Sequence, residues 1–243
     1  AWQGAEMALQ HAADMVQEGA DIIDVGGEST RPGAVEVSVA EELDRVLPII
    51  ERLRAEFDTP VSIDTSKPEL MLAAVQAGAG MINDVNALRN EGALDAAVSL
   101  GVPVCLMHMQ GRPRSMQHQP EYHDVVAEVE EFLLARADAL VQRGFRKRDI
   151  VLDPGFGFGK SQQHNIDLFR AIPRLSGLGY PLLVGVSRKS MLGAITGQPV
   201  GSRLSASVTA AVLAAQSGAS ILRVHDVQAT QDAMKILQEL GDR

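Results

Sequence analysis

Val61-Ser-Ile-Asp-Thr-Ser-Lys-Pro68, Glu69-Leu-Met-Leu-Ala-Ala-Val-Gln-Ala-Gly78 and Ala79-Gly-Met-Ile-Asn-Asp84 follow one another without a break and hold one full period of the fold. A short β-rich run, Val61–Asp64, ends on a carboxylate. Pro68 suits the first turn of the helix that follows, because its missing N–H is not needed there. Gly78 sits where that helix must stop in a left-handed conformation that glycine adopts cheaply. The next run, Met81–Val85, again ends on polar residues. This helix, glycine, strand unit appears six times, with glycines at Gly19, Gly78, Gly101, Gly144, Gly179 and Gly218. The strands they introduce run approximately Asp21–Val25, Met81–Val85, Val104–His108, Ile150–Asp153, Leu182–Val186 and Ile221–Val224. Val61–Asp64 follows Pro60 without such a glycine, which makes seven strands.

Between the strands lie amphipathic patterns such as Val39, Leu43, Val46, Leu47 and Ile50, whose spacing gathers the apolar residues on one helix face. The strands themselves are nearly continuously apolar, as expected when both faces of a parallel sheet are buried. Strict alternation over this length predicts a closed barrel or a doubly wound sheet, and seven units favour the α/β (β/α)8, or TIM, barrel. The whole chain, 1–243, reads as one such domain. It opens on a predicted helix, Gly4–Glu18, with no strand before it. An open seam would leave unpaired backbone groups, so the expectation is that the first strand and its loop lie outside this sequence.

A formal charge of −9 disfavours nucleic acid as a partner, so any anion must be met by a local basic site. The single cysteine, Cys105, lies in the apolar run Val102–Met107 and reads as a buried thiol. Without a disulfide framework, signal peptide or bilayer-length apolar stretch, the expected location is the cytoplasm, away from membranes. Met109–Pro120, rich in Gly, Pro, Gln and Arg, reads either as a mobile loop at the site's rim or as an inert linker.

Barrel active sites lie at the C-terminal ends of the strands. Those ends carry Asp64, Asn83 with Asp84, Met107 with His108, Asp153, Ser187-Arg188-Lys189, and Arg223 with His225 and Asp226. Any one of the short polar residues could simply cap a helix, as Thr65 or Ser66 could before Pro68. Capping does not call for Lys189, Arg223 and His225, since a desolvated cation is costly unless an anion meets it. Acceptors at Asp64, Asn83 and Asp153 beside cations at Arg31, Lys189 and Arg223 suit a ligand with a donor-bearing heterocycle at one end and a phosphate at the other. The run from Asp153 to Ser161 is not a P-loop, because three residues separate Gly155 from Gly159 where four are required. His11, His118, His123 and His164 show no metal-ligand spacing and read as surface residues.

Seven segments together resemble bacterial dihydropteroate synthase, a pterin-binding barrel family. They are Gly26-Gly-Glu-Ser-Thr-Arg-Pro-Gly33, Ser62-Ile-Asp-Thr-Ser-Lys-Pro68, Ile82-Asn-Asp84, Leu106-Met-His-Met109, Asp153-Pro-Gly-Phe-Gly-Phe-Gly-Lys160, Gly185-Val-Ser-Arg-Lys-Ser190 and Arg223-Val-His-Asp226. The resemblance implies a transferase of folate synthesis that joins 6-hydroxymethyl-7,8-dihydropterin pyrophosphate to p-aminobenzoate, releases pyrophosphate, and is a target of sulfonamides. Carried over residue by residue, it makes Asp64, Asp153, Lys189 and Arg223 the catalytic candidates. Asp153, Asn83 and Asp64 would hold the pterin, Lys189 would reach its other edge, Met107 and Arg223 would pack along the ring, Arg31, Arg223 and His225 would hold the pyrophosphate, and Gly185 is a further substrate-binding position. Thr30, Pro32, Phe158 and Ser190 match the p-aminobenzoate pocket. It also implies Mg2+, held in the family by an asparagine of the N-terminal loop that nothing here matches, and a homodimer through outer helices. A pterin-dependent methyltransferase, which lacks the Ser-Arg-Lys-Ser run at 187–190, a Schiff-base aldolase using Lys189, and a pterin-binding chain without turnover are the competing readings.

Overall fold

A computed structural model describes residues 2–29, 37–111 and 120–241. Helices and strands alternate as α1 (Trp2–Gln17), β1 (Ile23–Gly26), α2 (Val39–Glu56), β2 (Val61–Asp64), α3 (Pro68–Gln76), β3 (Met81–Asp84), α4 (Ala93–Leu100), β4 (Val104–Met107) and α5 (Val125–Val141). They continue as β5 (Ile150–Asp153), α6 (Gln162–Arg170), α7 (Ile172–Ser176), β6 (Leu183–Val184), α8 (Ser190–Thr196), α9 (Leu204–Gln216), β7 (Ile221–Leu222) and α10 (Val227–Leu240). All six helix-stop glycines have positive φ, between 66° and 113°. Each delivers the chain into the next strand.

β1 to β5 pair in order as a parallel sheet, a bridge from Leu152 to Leu182 joins β5 to β6, and β6 pairs with β7. The ends of this row then meet. Arg223, just past β7, donates to Asp24 of β1 at 2.8 Å, and Gln231 of α10 donates to the Gly19 carbonyl at 2.6 Å. An open doubly wound sheet would hold its first and last strands apart, so the row is a curved wall of the (β/α)8 barrel.

Period-two alternation divides the strand residues between two cores. Ile23, Val25, Val61, Ile63, Ile82, Val104, Leu106, Ile150, Leu152 and Val184 pack outward in the main core with the helices. Cys105, Val151 and Leu183, with Met81 and Ile221, form a separate small cluster that fills the barrel interior. Cys105 is fully buried, and burial raises its thiol pKa, which leaves it inert as expected. Above that plug the inward positions turn polar. β6 and β7 are shorter than their apolar runs suggest, because beyond Val184 and the Arg223 N–H the two chains leave the ladder to form the loops carrying Ser187 and His225.

Candidate active site

The polar mouth of the barrel holds a pocket open to solvent. Of the residues singled out from the sequence, Asp64, Asn83, Met107, Asp153, Phe158, Gly185, Lys189, Arg223 and His225 line it together, with Val85 and Ser187. They come from β2, β3, β4, β5 and the segments following β5, β6 and β7. Ser190 starts α8 and lies outside the lining, while Thr30, Arg31 and Pro32 fall outside the described residues, as does most of 109–120.

The electrostatics at the mouth are those of crowded, desolvated charge. The Asp64 carboxyl is pushed up to about 8, first by burial and then by the neighbouring Asp24 carboxylate, with Arg223 pulling it back. Asp153 is also raised by burial, against the opposing pull of Lys189 and of the Gly155 N–H, which donates to its Oδ1 at 2.7 Å. Lys189 is brought down to about 8, chiefly by burial. Its ammonium donates to the Phe156 carbonyl and stands 4.9 Å from the Phe158 ring centre. Arg223 spans two carboxylates, Asp24 at 2.8 Å and Asp64 at 3.3 Å. His225 meets the Ser187 hydroxyl through Nδ1 at 3.0 Å. The lining therefore sets acceptors beside cations, which fits a ligand that carries both N–H donors and negative charge.

Local backbone chemistry explains how these groups are presented. Gly155 has φ +68°, and a Cβ there would lie 1.9 Å from the His108 carbonyl oxygen, so no other residue fits. This contact presses the 154–159 turn onto the end of β4. Lys160 then pins it: its buried Nζ donates to the carbonyls of His108 (3.3 Å), Gly155 (3.0 Å) and Phe158 (2.9 Å), and approaches His108 Nδ1 at 3.0 Å. Lys160 is thus a buttress turned into the protein, and burial brings its pKa down to about 7. His108 is held at about 3, first by burial and then by Lys160, so its ring is neutral. Arg188 takes the left-handed conformation at φ 57°, which turns the adjacent Lys189 inward. That conformation is uncommon for a non-glycine. It is held by Ser207 on the Arg188 N–H (2.9 Å), Arg203 on its carbonyl (2.9 Å) and Asp226 on its guanidinium.

Capping accounts for less of the site than the sequence allowed. Neither Thr65 nor Ser66 caps α3, whose N-cap is Lys67 without a side-chain bond. Ser66 donates instead to Asp84, whose carboxylate also accepts the N–H groups of Asn86 and Leu88 and so shapes the β3–α4 turn. His164, expected on the surface, belongs to a capping box with Ser161 and meets Tyr122 edge-on. Asp24 escaped the sequence reading altogether. Its signal was a carboxylate inside the apolar run Ile23–Val25, a costly placement unless partners meet it.

Among the described residues no group of three or more His, Cys, Asp and Glu is placed to hold a metal ion. No helix of the described residues is long and apolar enough to cross a membrane.

Comparison with known proteins agrees with this geometry. The model of the family described as pterin binding enzyme matches residues 2–225. The curated dihydropteroate synthase of Escherichia coli K12 is 49% identical over 231 residues, covering 95% of this chain and 82% of that protein. Among solved structures, Xanthomonas albilineans dihydropteroate synthase with 4-aminobenzoic acid superposes with TM-score 0.93 at 53% identity, covering 98% of this chain and 86% of the other. The Yersinia pestis enzyme with a sulfonamide drug complex gives TM-score 0.93 at 49% identity, covering 96% and 85%. A family match over nearly the whole chain, together with close likeness to these enzymes in sequence and in backbone, means that the chain belongs to the pterin-binding enzymes and, within them, to the dihydropteroate synthases.

Proposed function

We propose that the chain transfers the pterin-methyl group of 6-hydroxymethyl-7,8-dihydropterin pyrophosphate to the amine of p-aminobenzoate, giving 7,8-dihydropteroate and pyrophosphate. The observation that carries this is a single lining that sets the acceptors Asp64, Asn83 and Asp153 beside the cations Lys189 and Arg223. In this reading Asp153, Asn83 and Asp64 receive the ring's N–H groups, Lys189 reaches the opposite edge, and Met107 and Gly185 bound the ring. Arg223 and His225, with Arg31, receive the pyrophosphate. Thr30, Pro32, Phe158 and Ser190 form the p-aminobenzoate side.

The chemistry follows from where charge develops. Breaking the bond between the methylene carbon and the pyrophosphate oxygen sends the electron pair to the leaving group and leaves positive charge on the pterin. Carboxylates at Asp64 and Asp153 favour that charge over the neutral ground state, and arginine favours the departing anion. The aniline nitrogen then bonds to the methylene carbon and releases its proton to solvent. Mg2+ belongs to this reading as a companion of the pyrophosphate. The exposed apolar side chains Leu204 and Leu213 on α9 and Ile236 on α10 support a homodimer through the outer helices, and a folate-pathway enzyme without a disulfide framework fits the cytoplasm.

The test is mass-spectrometric detection of dihydropteroate from the two substrates and Mg2+. Product that requires p-aminobenzoate, and that sulfonamides suppress competitively, is the expected result. Failure to form product while pterin still binds would sink the turnover assignment.

A further inference from the structure

Asp24 sits in the middle of β1 and is not among the side chains lining the cavity. One of its oxygens, Oδ2, accepts from two groups that do line it: Arg223 Nε at 2.8 Å and Asn83 Nδ2 at 3.1 Å. The other, Oδ1, is buried with no hydrogen-bond partner among the described residues. A carboxylate in such a place is costly unless charge and donors meet it. Those that do meet it here are both site residues, so the fold alone offers no reason for an acid at this position.

The two bonds decide what the site shows its ligand. An ionised carboxylate only accepts, so the Asn83 amide must turn its Nδ2 toward Asp24, and its Oδ1 is left for the other side. Arg223 spends Nε on Asp24 and Nη2 on Asp64, which orients the rest of the guanidinium.

We propose that Asp24 is a positioning residue that sets the polarity of recognition: it makes Asn83 present an acceptor to the ligand's N–H edge and fixes the tilt of Arg223 over the same ligand. The proposal rests on the synthase reading for the identity of that ligand. It places the selection of a donor-bearing heterocycle partly in a residue that does not line the cavity.

A double-variant cycle tests it, with the free alcohol 6-hydroxymethyl-7,8-dihydropterin as the calorimetric probe. Asp24→Ala is expected to cost about tenfold in the parent but under about threefold when Asn83 is already Ala. Equal losses in both backgrounds would overturn the proposal. A parent protein that ignores the probe would remove the pterin reading itself, and this proposal with it.

Discussion

At the scale of single residues, Asp64 makes the sharpest statement about cost. Folding raises its carboxyl from 3.8 to about 8, with burial the first cause and Asp24 the second. Between those values the folded chain holds a proton that the unfolded chain has released, so this residue's contribution to stability is full below 3.8 and falls as pH rises toward about 8. Asp64→Asn removes the dependence. The Tm of the variant minus that of the parent is therefore expected to increase from pH 4 to pH 8 and level off above, each kcal/mol appearing as roughly 2–4 °C in a chain of this size. Turnover should fall in the same variant, because the carboxyl that can ionise beside the developing pterin cation is gone. A Tm difference independent of pH would refute the assignment of a buried, proton-holding carboxyl. A site that accepts such a cost carries groups chosen for chemistry at the expense of the fold.

At the scale of elements, the 154–159 turn shows how a strand end is made rigid enough to position Asp153 and Phe158. Gly155 permits contact with the His108 carbonyl, and Lys160 supplies donors to that carbonyl and to two of the turn's own. Folding lowers Lys160 from 10.5 to about 7, so above pH 7 the unfolded chain binds the extra proton and stability gained from this residue rises with pH up to about 10.5. Lys160→Met keeps the bulk and removes the donors. It should lower stability by about 1–3 kcal/mol, since carbonyls and an imidazole nitrogen lose their partner. The deficit should be smallest below pH 7 and widen toward pH 10; denaturant melts across that range check it, and a constant deficit would contradict the buried amine. The burial of Lys160 was not legible in the sequence, where the run from Asp153 to Ser161 could only be told apart from a P-loop. The direction of Lys160 is set by tertiary carbonyls supplied from β4. The same holds for Ser66, whose local cap chemistry yields to Asp84 eighteen residues on. By contrast Gly19, Gly78 and Gly218 announced their helix stops because positive φ is a local requirement. Six strand ends were legible for a related reason, since an apolar run that breaks into Asp, Asn, His, Lys or Arg marks where the barrel meets solvent. Asp24 was hidden because its partners, Asn83 and Arg223, come from distant strands.

At the scale of the whole molecule, the barrel wall brings the chain's two ends together, through Arg223 to Asp24 inside and Gln231 to Gly19 outside. That leaves α9 and α10 packed side by side, with Leu213 about half exposed and Ile236 60% exposed. Exposed apolar residues scattered singly need no explanation, but a group of them on two adjacent helices marks a surface for association. Leu213→Glu with Ile236→Glu places two charges on this face at positions that are themselves exposed. Substitutions of that kind usually change monomer stability by no more than about 0.5 kcal/mol each, whereas burying the new carboxylates in an interface would cost far more. Sedimentation should therefore show the parent at twice the chain mass and the double variant at the chain mass, with unchanged circular dichroism. A parent that sediments as a monomer would sink the homodimer. A variant that stays dimeric would move the interface to other helices. Because Arg223 and His225 lie between β7 and α10, a dimer formed through α10 would also brace the anion end of the site from behind, and the monomeric variant should then show a higher KM for the pyrophosphate ester than the parent.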